Sequence, residues 1–229
     1  MVDSLLPDYG KIPSGKLRIH PQHGDAYMHY LRGSAMVAKA TTKAIEKGIK
    51  EFELAIKLQP DYALAHVSLA LNTMVLYQHR VIDSKEARAI AQTAIDRALT
   101  EDPYLALAHT AQGLLHINYD EFFAAEAAFI TALNLEPTLP LAHHNYGYLL
   151  WLQDKHQQAL DHFQMALASN PMSAITNFAV ADSLFTTGQL NDALKQYQHC
   201  VALLPDYPAC HMGIANFYRF TTISYFFWM

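Results

Sequence analysis

The sequence predicts an all-α protein, a superhelical solenoid of antiparallel helix pairs. Three observations predict it. First, Pro103, Pro137, Pro171 and Pro205 stand at a constant interval of 34 residues, and Pro60 lies one interval plus nine residues upstream. Second, the same small–large–small pattern precedes each proline. It reads Gly48, Phe52, Ala55; Ala91, Ile95, Ala98; Ala125, Phe129, Ala132; Ala159, Phe163, Ala166; and, with Val201 as the short residue, Ala193, Tyr197, Val201. Third, 52% of residues are hydrophobic and only 16% charged, enough to bury a continuous core. Self-similarity at a fixed period marks stacked units that bury their apolar faces only against their neighbours.

The elements follow in order. Residues 1–24 hold three prolines and three glycines without helical period and read as an extended leader. A helix opens at Asp25 and carries Tyr27, Tyr30, Leu31, Ala35 and Met36, and Thr41-Thr42 breaks it. A second helix runs from about Lys43 to Gln59, with Ile45, Ile49, Phe52 and Ile56 on one face. Pro60 ends it, and Asp61 is placed to cap the next. Helices then alternate. The first of each pair starts near Tyr62, Tyr104, Leu139, Met172 and Tyr207, the second near Ser84, Asp120, Lys155 and Leu190. Asp83 and Glu86 have capping-box spacing. The nine extra residues lie between Met74 and Ala87, giving that pair longer helices or a longer turn. Close approach within each pair calls for small residues: Ala70, Gly113, Gly147, Ala181 and Ala215 on first helices, and Ala91, Ala125, Ala159 and Ala193 on second helices. The large residues Phe52, Ile95, Phe129, Phe163 and Tyr197 are expected between neighbouring pairs. The solenoid is thus assigned to 25–218: repeats ending near Pro60, Pro103, Pro137, Pro171 and Pro205, then the first helix of a sixth. The stretch 219–229 reads as an apolar tail, a truncated repeat.

Over these residues the chain resembles the tetratricopeptide repeat (TPR) family. Where that family often has Trp four residues into the first helix, this chain has His66, His109, His143, Asn177 and His211. The segment from Ala26 to Gly33, the long second pair and Ala142-His143-His144 resemble a narrower group, the TPR domains C-terminal to winged-helix DNA-binding domains in bacterial transcription regulators. The resemblance implies a non-catalytic module for protein–protein recognition, the sensory or scaffolding part of a bacterial regulatory system. The alternative is a TPR module detached from an enzyme such as a nucleotide cyclase or transferase. The resemblance also implies that first helices line a concave groove. The groove side chains expected to meet a partner are Met74, Leu114, Tyr148, Trp151, Phe178, Phe185, Met212 and Phe220. The family's Lys, Asn and Arg grip on a terminal carboxylate is matched only by Asn216 and Arg219, so the surface suits a protein or peptide segment with apolar anchors. The competing reading fills the groove from within, by the leader or by tight winding of the superhelix.

Little else points to chemistry. There is no Gly-rich phosphate loop, His-Glu-x-x-His or Gly-x-Ser-x-Gly, so no catalytic residue, cofactor or metal is assigned. Of the thirteen histidines, His66, His109, His143 and His211 occupy one repeat position, too far apart to share one ion, and read as packing residues with one ring nitrogen bonded to neighbouring backbone or hydroxyl groups. Cys200 and Cys210 fall on successive helices and read as two buried free thiols, or as a disulfide if their Cα atoms come within ~7 Å in an oxidising compartment. A net charge of −5 argues against a nucleic-acid partner. No stretch has the length of an apolar membrane span. The start lacks a signal-peptide core and carries Asp3 and Asp8. These features suit a cytoplasmic chain, or a periplasmic one if it is a piece of a membrane-anchored regulator. The tail, apolar after Arg219, is expected to be covered by a two-fold contact between two chains, giving a homodimer, or by folding back near Phe185.

Overall fold

The computed structural model describes residues 23–227, with side chains as far as Thr222. The leader expected over 1–24 falls almost wholly outside these residues, as do Trp228 and Met229. Eleven helices and no strand occur among the described residues. They fall into two compact units that divide after Tyr104. The first unit holds α1 (Gly24–Val37), α2 (Thr42–Leu58), α3 (Ala63–Gln78) and α4 (Ser84–Glu101). The second holds α5 (Ala106–Ile117), α6 (Phe122–Leu135), α7 (Pro140–Leu152), α8 (His156–Ser169), α9 (Ala174–Thr186), α10 (Leu190–Leu203) and α11 (Pro208–Phe227).

Local chemistry sets the ends. Thr41 Oγ1 accepts from the Ala44 amide at 3.3 Å, and Asp83 Oδ1 accepts from the Glu86 amide at 2.9 Å. Each cap satisfies one of the amides that a helix start leaves without an internal partner. Asp61 does not take the cap position expected of it. Tyr62 does, and no side chain caps α3. The nine extra residues lengthen the helices: α3 and α4 have 16 and 18 residues, against 12 and 14 in α5 and α6. In the second unit each pair turns through one left-handed residue, Asp120, Asp154 or Gly188, and these three stand one repeat apart. After Tyr218 the chain does not turn. Residues 219–227 contain no Gly, Pro or Asn to break the helix, and α11 continues to Phe227.

The small–large pattern is a close fit within pairs as well as between them. A methyl group placed on Gly113 would stand 2.6 Å from Phe129 Cε1, and one on Gly147 would stand 2.9 Å from the Phe163 ring. In the first unit a methyl on Gly33 would meet Phe52 at 2.6 Å. Each ring therefore seats on a glycine of its own pair, where the sequence reading placed it in the gap between pairs. It also reaches onward: Phe163 shares a buried cluster with Val180, Ala181, Leu184 and Tyr197. At α11 the expected small residue, Ala215, is exposed, as no second helix follows α11 among the described residues, and the Tyr197 ring of the preceding pair packs on Gly213. The Tyr197 hydroxyl donates to Asp182 on α9 at 3.1 Å, so the ring spans from α9 to α11 and needs glycine where it crosses.

The cysteines correct the sequence reading. Cys200 near the end of α10 and Cys210 near the start of α11 are joined by a disulfide, with Cα atoms 5.9 Å apart and both residues fully buried. The short turn between the antiparallel helices brings the last turn of one beside the first turn of the other. Reducing this bridge, or replacing both cysteines with alanine, is expected to lower the stability of the second unit by about 2–3 kcal/mol, the chain-entropy value for a loop of this length. Urea unfolding with and without reductant checks it. Identical midpoints would show that the thiols are not paired in solution.

Candidate functional site

The cavity of interest lies in the second unit and holds about 260 Å³. α7 contributes His144, Tyr148 and Trp151, at steps of four and three residues that put them on one helix face. α9 contributes Ile175, Phe178, Ala179 and Asp182 by the same spacing. Phe163 of α8 and Tyr207, in the turn before α11, complete the lining. The walls are largely apolar and aromatic. Tyr148 is 41% exposed and Ile175 is 54% exposed, so the cavity opens to solvent at their edge.

Its polar groups are held by neighbours. Asp182 accepts from the Tyr197 hydroxyl. His144 Nδ1 lies 3.2 Å from Thr176 Oγ1, and its ring packs on Phe163 with centroids 5.5 Å apart. Burial pushes the His144 pKa down to about 4, so the ring is neutral at pH 7. Burial also raises the Tyr207 phenol above its ordinary value, which keeps it protonated. Phe178 meets Tyr207 edge-on at 6.5 Å and Tyr197 at 6.1 Å.

Of the groove residues expected from the sequence, Tyr148, Trp151 and Phe178 line this one cavity. Phe185 sits farther along α9 in a separate aromatic cluster, with ring centroids 6.2 Å from Phe217 and 5.3 Å from Phe220. Phe220 and Met212 are exposed, and Leu114 is partly buried away from the cavity lining. Met74 is only 1% exposed and offers a partner no surface. Tyr207 was absent from the sequence expectation. Register could have found it, because it stands one repeat after Ser173 at the residue preceding the first helix of a pair.

The recurrent histidines are structural. His66, His143 and His211 Nε2 each lie within hydrogen-bond reach of the carbonyl of the proline six residues back, at 2.9, 2.9 and 2.6 Å. Asn177 Nδ2 donates to the Pro171 carbonyl in the same way at 3.0 Å. His143 Nδ1 also lies 3.0 Å from His162 Nδ1, within hydrogen-bond reach. Among the described residues no group of three His, Cys, Asp or Glu could hold a metal ion. No helix among them is long and apolar enough to cross a membrane.

No protein-family model matches the chain, and no curated protein sequence matches it. Solved structures do. A thermophilic TPR protein from Thermus thermophilus superposes with a TM-score of 0.69 at 17% identity, over 84% of this chain and 98% of that one. A chain of the APC/C hetero-tetramer Cut9-Hcn1 gives 0.68 at 16% identity, over 86% of this chain and 41% of that one. YrrB, described as a TPR protein with an unusual peptide-binding site, gives 0.50 at 15% identity, over 82% of this chain and 91% of that one. At these identities the likeness speaks for architecture, and with the 34-residue helix pairs it shows that the chain has the tetratricopeptide-repeat fold.

Proposed function

We propose that the second unit is a non-catalytic recognition module that takes a segment of a partner protein into the cavity lined by α7 and α9. The observation that carries the reading is the pair of facing stripes. His144, Tyr148 and Trp151 on one helix and Ile175, Phe178 and Asp182 on the other enclose about 260 Å³ that no side chain of the described residues fills. Apolar concavities with a few placed polar groups are where ligands bind. The tetratricopeptide fold and the peptide-binding site described for YrrB agree with a segment as ligand. The resemblance of Ala26–Gly33 and Ala142–His144 to regulator modules favours a sensory or scaffolding role in a bacterial regulatory system. The Cys200–Cys210 bridge favours an oxidising compartment for it.

Selection of binders from a displayed peptide library by the intact chain tests this. Trp151→Ala is expected to weaken the selected peptides by about thirty-fold, the scale of an aromatic hot spot worth about 2 kcal/mol, with an unchanged helical circular-dichroism signal. Equal affinity for the variant, or no selectable binder, would overturn the assignment of the site.

A further inference from the structure

The cavity combines an aromatic wall with a single carboxylate. Tyr148, Trp151, Phe178 and Tyr207 supply ring faces and edges, and among the described residues Asp182 is the only charged side chain in the lining. One Asp182 oxygen accepts from Tyr197, and the side chain lines the cavity. No Lys or Arg among the described residues lines the cavity, and the neutral ring of His144 adds no opposing charge. The surroundings reinforce this. From Leu105 onward the chain carries three basic residues, Lys155, Lys195 and Arg219, against nine Asp and Glu, a net of −6, while the preceding residues carry a net of +1. A cation held within about 6 Å of aromatic faces is attracted by the ring quadrupoles, and more so where water is excluded. A purely apolar anchor would gain nothing from Asp182 or from the acidic field around it.

We propose that the cavity is an aromatic box for an alkylammonium head group, presented as a lysine side chain, bare or N-methylated, by the partner segment. The proposal rests on the segment-binding reading of the same cavity and adds the charge of the anchor. Asp182 pairs with the ammonium. Trp151, Tyr148 and Phe178 surround its alkyl groups. The position of Asp182, one helical turn beyond Phe178, sets the depth at which the charge stops.

The test uses the full chain carrying Trp228→Phe, so that tryptophan emission reports Trp151 alone. Choline is titrated beside 3,3-dimethylbutan-1-ol, its uncharged carbon isostere. Choline is expected to perturb the emission with at least ten-fold higher affinity than the alcohol. Asp182→Asn, which keeps an acceptor for Tyr197, is expected to lower choline affinity three- to ten-fold and leave the alcohol unchanged. Equal binding of the two probes, or no response to choline, overturns the proposal. In the library-selected peptides, replacing the anchor lysine with norleucine is expected to cost at least ten-fold. Peptides that bind equally well with norleucine remove the cation and leave the segment-binding reading standing. A preference for choline with no peptide binder at all removes the segment as its source.

Discussion

Replacing Phe129 with alanine is expected to cost about 3–5 kcal/mol of stability in the second unit. The ring is fully buried, and it shares its cluster with Ala125, Ile117 and Leu149. Gly113→Leu alone is also expected to destabilise, by about 1–3 kcal/mol or more, because even its Cβ would stand 2.6 Å from the Phe129 ring. The informative experiment combines them. With the ring gone, the leucine enters the space it vacated, so the double variant should be more stable than the sum of the single losses predicts, by about 1–3 kcal/mol. Urea unfolding of the four proteins measures this. Additivity within about 0.5 kcal/mol would mean that Phe129 does not seat on Gly113 and that the two helices pair differently.

Acid is expected to destabilise the second unit well before carboxylates protonate. His144 has its pKa pushed down to about 4 by burial, and burial lowers His162 as well. In the unfolded chain both titrate near the ordinary value of about 6.5. Between those values the unfolded state holds protons that the native state refuses, so stability rises with pH across the window. The full contribution is present above about pH 6.5 and drains away as pH falls toward 4, reaching about 3 kcal/mol for His144 alone. Urea midpoints at pH 7.5, 6 and 5 should fall steadily for the native chain and less steeply for His144→Leu. Parallel slopes would show that His144 is open to protonation in the folded state. The same reasoning applies in the first unit to His66, which burial also holds below its ordinary pKa.

The repeat was legible because its signals are local and periodic. A proline every 34 residues and a small–large–small triplet before each one are constraints of backbone and close packing, and they survive in one sequence. The family resemblance assigned Tyr148, Trp151 and Phe178 to a groove face, and all three line the cavity. The missed features depend on what a side chain meets across space. Met74 occupies a groove position by count, yet it is buried. Tyr207 lies in a turn, where helical periodicity is silent, and its ring reaches the cavity all the same. Gly213 was missed because it meets Tyr197 of a neighbouring pair, a contact that spacing along one helix does not encode. The cysteines show the same limit: ten residues of separation permit a bridge or forbid it according to a turn geometry that composition does not specify.

The bond from His66, His143, Asn177 or His211 to the carbonyl of the proline six residues earlier makes each corner of the array self-contained. Donor and acceptor lie within one short stretch of chain, so the corner is set without reference to any distant residue. Duplicating or deleting a whole 34-residue block would carry every corner along intact and preserve the register of its neighbours. That Asn177 replaces the imidazole without changing the acceptor shows how little the joint demands: one N–H at the right reach. A gene built of such blocks can grow or shrink by recombination without disturbing the joints that remain.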